Sequence, residues 1–212
     1  MRIRGIITGV IAILLMMAGV VRSEPPEPRG ATDRRPGSLG FMMGLSLPQG
    51  SPAFNTDYIL GASLMMVRSY DLADQLPGLR AELQLGVEVV AGTWGWGYGL
   101  SFPVMVNVGY DVVRLGNGSF RAGAFGGVGW SYHHLESGME GVKVRDQHRP
   151  GIDMGLSAAL RVFSRWELTL RAMYFRSFTS PLEAEYAGTL IRSRDRFGYG
   201  TLPVMFGVAR RF

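Results

Sequence analysis

From residue 38 onward the chain alternates apolar and polar positions and shows no helical period of useful length. Phe41, Met43, Leu45 and Leu47 open the pattern at odd positions. The segment 57–70 has two largely apolar faces, Leu60/Leu64/Met66 and Ile59/Met65/Val67, so its phase stays open. Over 79–91, Leu83, Leu85, Val87 and Val89 share one face, and Arg80, Glu82, Gln84 and Glu88 share the other. The later segments alternate at even positions. Leu100 to Tyr110 oppose Ser101, Asn107 and Asp111, and Phe120 to Tyr132 oppose Arg121, Gly123, Gly127 and Ser131. Ile152 to Leu160 oppose Asp153, Ser157 and Arg161, and Trp166 to Tyr174 oppose Glu167, Thr169 and Arg171. Leu202, Val204, Phe206, Val208 and Phe212 close the series. Eight such segments, mostly of 9–14 residues, exceed the average strand of about 5–6 residues. They match the tilted strands of about 9–11 residues that cross an apolar layer.

Alternation alone fits a soluble barrel with an apolar interior or a membrane barrel with an apolar exterior. The aromatic residues separate the two. Tyr110, Phe120, Phe163, Trp166 and Phe212 fall beside the turns of one rim. Trp94, Trp96, Tyr98, Trp130, Tyr132, Tyr174, Phe178 and Tyr199 fall beside the opposite connections. Two aromatic girdles suit two membrane interfaces, since these rings have an apolar body and a polar tip. Connections at the first rim are short (71–78, 115–119 and Ser164-Arg165), with Asn117-Gly118 predicting a type I′ turn. Those at the other rim are longer and read as loops: 47–56, 133–150 and 179–197. The expectation is an all-β fold: an eight-stranded antiparallel up-and-down transmembrane β-barrel over residues 38–212.

The start of the chain sets the compartment. Arg2 and Arg4 precede an apolar and small-residue run over 6–21, followed by Arg22-Ser23. Positive start, apolar core and short polar exit predict a secretory signal peptide over 1–23. Residues 24–37, rich in proline and charge, predict a flexible leader. Without Arg2, Arg4 and Arg22 the formal charge falls from +5 to +2, with no basic run, which excludes a nucleic-acid footprint. Zero cysteines exclude thiol catalysis, disulfides and lipid anchoring through a cysteine. Thirty glycines spread through the alternating region suit tight curvature and a crowded interior.

Three stretches resemble the outer-membrane β-barrel domain family that includes the OmpA-type and OmpX-type small barrels. They are Phe102-Pro-Val-Met-Val-Asn-Val-Gly-Tyr110, the glycine-rich Arg121-Ala-Gly-Ala-Phe-Gly-Gly-Val-Gly-Trp130, and the terminal Leu202-Pro-Val-Met-Phe-Gly-Val-Ala-Arg-Arg-Phe212. The resemblance implies residence in the bacterial outer membrane. It also implies that Phe206, Val208 and Phe212 form the signal read by the barrel-assembly machinery, and that outer-membrane lipid and lipopolysaccharide are partners. A monomer is expected, with no nucleic-acid partner and no cofactor.

Candidate chemistry is sparse. Arg80, Glu82, Glu88, Arg121, Asp153, Arg161, Glu167 and Arg171 share the polar face. An interior of about eight strands is just wide enough for side chains to fill, so these charges are expected to pair and plug the lumen. The alternative is that they line a small-solute pore. His133, His134 and His148 lie with Ser131, Ser137, Glu136 and Asp146 in one region, so a Ser/His/acid set can be drawn on paper. No nucleophile elbow surrounds either serine. Lipid A deacylase barrels carry His-x-Ser-Asn on a late strand; the comparable Met173-Tyr-Phe-Arg-Ser-Phe178 has no histidine. Adjacent His133 and His134 should point to opposite faces and chelate poorly. The reading is a structural or surface-interaction barrel, with no catalytic residues and no metal, ahead of a pore or a lipid-modifying enzyme.

Overall fold

A computed structural model describes residues 37–49, 58–72, 76–92, 96–137 and 140–212. The expected signal peptide, the leader up to residue 36 and Trp94 lie outside the described residues. The strands are β1 (Gly37–Pro48), β2 (Tyr58–Asp71), β3 (Leu79–Gly92), β4 (Trp96–Leu115), β5 (Phe120–Ser137), β6 (Val142–Val144), β7 (Gln147–Phe163), β8 (Trp166–Ser177), β9 (Ser180–Tyr186), β10 (Thr189–Phe197) and β11 (Gly200–Arg211). Eight of them close a barrel in the order β1-β11-β8-β7-β5-β4-β3-β2, antiparallel at every seam. Closure runs from Ser38↔Arg211 to Pro48↔Thr201. It leaves no open barrel edge, where unpaired backbone groups in lipid would each cost several kcal/mol.

The faces are set by residue parity. Val106 is 60% exposed, while Met105 and Asn107 on either side are 0% and 1%. Outward positions on β1, β3 and β4 are the apolar ones named above, so the wall is greasy outside and partly charged inside. Among architectures with water on both sides this arrangement would be unstable; it is that of a barrel standing in lipid. In β2 the even residues face out and Ser63, Met65, Val67 and Ser69 face in. Ile59 is exposed as well, because the β2–β3 register shifts between Tyr58 and Leu60.

The short connections gather at the rim where Gly37 and Arg211 also lie, here the turn rim; the opposite end is the loop rim. The turn at 116–118 is a single 3-10 turn rather than the type I′ turn expected at Asn117-Gly118. Gly116 and Gly118 supply its positive φ values of 56° and 82°, and the Ser119 N–H donates to Gly116 O at 3.0 Å. A two-residue turn with both φ positive occurs instead at Ala187-Gly188, joining β9 to β10.

The loop rim departs most from expectation. Residues 133–150 and 179–197, read as loops, carry strand through much of their length. β4, β5 and β7 run to 20, 18 and 17 residues, whereas about 12 residues at about 3.3 Å each, tilted by about 40°, already span the apolar band. Their excess length extends past that band. Beyond it β6, β9 and β10 form a second, three-stranded sheet in the order β10-β9-β6.

Candidate functional site

The lumen is where polar side chains concentrate, and it divides into two layers. Toward the turn rim lies an arginine–carboxylate lattice. Arg80 on β3 donates through Nε to Glu82 Oε1 at 2.6 Å, pairs through Nη1 with Asp111 on β4, and donates through Nη2 to Ser157 at 2.6 Å. Glu82 also receives Arg171 from β8, across the barrel. Arg121 on β5 reaches Glu167 at 2.7 Å and lies 3.7 Å from both Asp71 and Asp111. Arg114 joins Asp111 at 3.0 Å, and Arg211 lies 3.4 Å from Asp71 and from Glu167. Desolvating a charge costs several kcal/mol per ion, so a buried pair holds only where each ion finds several partners. Here Glu82, Asp111 and Arg121 each have at least two.

Local sequence makes this reach possible. Arg80 stands opposite Gly109, and its side chain lies across that glycine on the way to Asp111. Asn107 and Asp153 both stand opposite Gly127. Asn107 reaches over it to donate to Asp153 Oδ2 at 2.9 Å, and a Cβ at Gly127 would overlap the Asn107 amide oxygen. Glycine removes the intervening side chain so that a polar group can bridge two strands away.

From mid-barrel to the loop rim the interior is mostly apolar and aromatic, with Met42 and Val67 reaching the edge of the lattice. Met42, Met65, Val67, Val90, Met105, Phe125, Leu135, Met173, Phe175, Met205, Tyr58, Phe197 and Tyr199 form one buried cluster. The Arg171 guanidinium lies 4.0 Å from the Phe125 ring centroid, where the two layers meet. Val144 of β6 and Leu182 of β9 pack against this cluster, so the second sheet covers the loop-rim mouth. Arg149 ties the cover down: it donates to the Phe197 carbonyl and lies 5.9 Å from that ring.

The structure places the residues of the polar face as follows. Arg80, Glu82, Arg121, Glu167 and Arg171 meet in the lattice. Glu88 does not join it, since its neighbours are hydroxyls: Thr201 at 2.9 Å, Ser63 at 3.1 Å and Tyr199 at 3.2 Å. Asp153 is held by Asn107 rather than by a cation. Arg161 makes no ion pair among the described residues, and its Nε is buried without a partner. Asp71, Asp111, Arg114 and Arg211 complete the lattice, beyond the charges that alternation assigns to it. Asp111 is visible on the polar face, whereas Asp71 and Arg211 sit at strand ends, where alternation fades.

The aromatic rims need two corrections. Tyr199 is fully buried, stacked 4.5 Å from His133 and bonded to Glu88, because the chain turns inward before β11 begins. Phe120 is only 3% exposed, where β5 leaves the 3-10 turn. Tyr110, Phe163, Trp166 and Phe212 are exposed at the turn rim. Tyr98, Trp130 and Phe178 are exposed and Tyr132 and Tyr174 half-buried toward the loop rim. On that outer wall Tyr132 packs 5.9 Å from Phe102 and 5.1 Å from His148.

The paper Ser/His/acid set comes apart. Ser131 Oγ does lie 2.7 Å from His133 Nε2, but both are buried inside the barrel, and among the described residues His133 Nδ1 has no partner. Asp146 binds His134 Nδ1 instead, at 2.6 Å, on the outer surface, where it also accepts from the Tyr132 hydroxyl at 2.6 Å. These two bonds, the tyrosine's first, hold the Asp146 carboxyl below its ordinary range. His133 and His134 point to opposite faces. Among the described residues no group of three or more His, Cys, Asp or Glu could hold a metal ion.

No family model and no curated protein matches the sequence. Solved structures do match in fold. The chain is similar to the outer membrane protein OprG from Pseudomonas aeruginosa, at 13% identity and TM-score 0.52, over 84% of this chain and 97% of that one. A major outer membrane protein from Thermus thermophilus matches at 15% identity and TM-score 0.55, over 83% and 99%. Neisserial surface protein A matches at 13% identity and TM-score 0.52, over 84% and 97%. The shared fold is that of small bacterial outer-membrane β-barrels.

Proposed function

We propose that the chain is a non-enzymatic integral outer-membrane barrel with a structural or surface-interaction role and a lumen closed to solutes. Its orientation follows from the two rims: the turn rim, with Gly37 and Arg211, faces the periplasm, and the second sheet faces outward. The observation that carries this reading is the filled interior. An ion-pair lattice, an apolar-aromatic layer and a covering sheet succeed one another along the axis. The cavity among Arg80, Glu82, Asp111, Arg121, Glu167 and Arg171 measures about 60 Å³. A water needs about 10–15 Å³ on that scale, so the space suits a few waters and not a solute path.

With the interior filled, interaction falls to the outer wall and the second sheet. Outer-membrane lipid and lipopolysaccharide are the partners of the wall. The barrel-assembly machinery reads Phe206, Val208 and Phe212, of which all three are exposed. Membership among the OmpA-like and OmpX-like barrels, a cleaved signal over 1–23 and a monomeric state belong to the same reading. The buried Ser131–His133 contact argues against a lipid-modifying enzyme, because a lipid ester has no route to it.

The test is gel mobility of the outer-membrane fraction in mild SDS, boiled against unboiled. The expected result is a heat-dependent shift in that fraction, because a complete ring of strand hydrogen bonds resists SDS until heated. A soluble periplasmic product without a shift would overturn the proposal.

A further inference from the structure

The outer wall near the turn rim carries two arginines in one cross-strand row. Leu39 on β1 stands opposite Arg68 of β2 on one side and opposite Arg210 of β11 on the other. The same row continues to Leu83 and Trp166. Strands lie about 4.8 Å apart, so the two arginine backbones are about 10 Å from each other across the barrel seam. Their side chains converge on one ring. The Arg68 guanidinium is 4.8 Å from the Phe212 centroid and 5.0 Å from that of Tyr70, and the Arg210 guanidinium is 5.7 Å from Phe212.

Among the described residues neither arginine makes an ion pair or a hydrogen bond. A guanidinium over an aromatic ring keeps its N–H groups free in its own plane, and that fork matches phosphate oxygens. Two such cations on a wall with exposed Tyr70, Trp166 and Phe212 sit at the level where a membrane's apolar layer meets its headgroups. Inside the lumen the clustered arginines of the lattice are answered by carboxylates. On this wall no carboxylate among the described residues pairs with either arginine.

We propose that Arg68 and Arg210, with Phe212 between them, bind the phosphate of an anionic phospholipid headgroup in the periplasmic leaflet. This rests on the reading of the turn rim as the periplasmic one. The ring holds the two guanidiniums at a common site, and the phosphodiester bridges their free N–H forks. The lipid's chains then run along the apolar wall of β1, β2 and β11. A free phosphate offers the same oxygens without the chains, so the two sources can be told apart.

The experiment uses the full chain in phosphatidylcholine vesicles carrying spin-labelled phosphatidylglycerol, and measures its association with the barrel relative to spin-labelled phosphatidylcholine. The wild-type chain is expected to prefer phosphatidylglycerol, and Arg68→Gln with Arg210→Gln is expected to remove that preference, about five-fold per arginine. Arg68→Lys with Arg210→Lys should retain part of it, and Arg176→Gln at the other rim all of it. An unchanged preference in the Gln pair overturns the proposal. So does loss of the preference when millimolar glycerol phosphate is added, since a soluble anion would then be the ligand. If the Gln pair does not fold, Arg210→Gln alone decides by the same criterion. A wild-type chain lacking the heat-dependent gel shift would instead sink the membrane reading itself.

Discussion

The two layers of the lumen solve one problem in opposite ways. Near the turn rim, arginines and carboxylates fill the interior and must satisfy one another, because each buried ion left alone is costly. Near the loop rim, methionines and aromatics fill most of it, and the polar groups among them are hydroxyls, His133, Glu88 and the Arg149 guanidinium, which turns to a backbone carbonyl rather than to a carboxylate. The ion lattice is demanding in geometry: Arg80 has to cross Gly109, and Asn107 has to cross Gly127. The methionine-rich layer is forgiving, since an unbranched thioether adapts to irregular gaps. The lattice therefore locks the barrel's register, and the apolar layer seals it beneath the second sheet.

Breaking the lattice should have the largest effect. Glu82→Leu leaves Arg80 and Arg171 without their shared carboxylate, and a loss of about 3–5 kcal/mol is expected in urea unfolding from lipid vesicles. The matching change in the other layer is Met105→Ala, at a fully buried position. It should cost about 2–4 kcal/mol by the same measurement, limited because the neighbouring methionines can shift into the space. A result in which Met105→Ala exceeds Glu82→Leu would reverse the comparison.

Smaller changes sharpen it. Tyr199→Phe keeps the ring stacked on His133 but removes the hydroxyl that donates to Glu88. About 1–2 kcal/mol should be lost, because Thr201 and Ser63 still serve that carboxylate. The smallest effect lies outside the barrel. Asp146 has its carboxyl held below the ordinary range by Tyr132 and His134. The stabilisation it contributes is present above that range and lost as pH falls through the lowered value. Amide protection factors at 132–134 and 146, taken relative to the intrinsic rate at each pH, should therefore fall in acid, while those beside Arg80 and Glu82 hold.

The outward face of the barrel is legible in the sequence because lipid imposes one rule on every strand. Val104, Val106 and Val108 have to share a face, and they do. The interior is only half legible, because a lumen accepts either polar or apolar filling. Met65, Met105, Met173 and Met205 occupy the inward phase beside outward aliphatics, so their strands look apolar on both sides. That double apolar character leaves the phase of 57–70 open; it is the mark of a strand that seals rather than pairs. Parity alone groups Glu88 with the ion pairs, and parity says nothing of height along the axis. The second sheet is hidden in the sequence because β6 has only three residues, and β9 and β10, shorter than the barrel strands, are rich in charge as loops are.

The central claim is that this lumen is closed, and single-channel recording from the purified chain in a planar bilayer tests it most directly. The two filled layers predict no sustained conductance at moderate voltage. Large, well-resolved steps that persist over time would contradict it, and would mean that the lattice and the covering sheet move aside in the membrane.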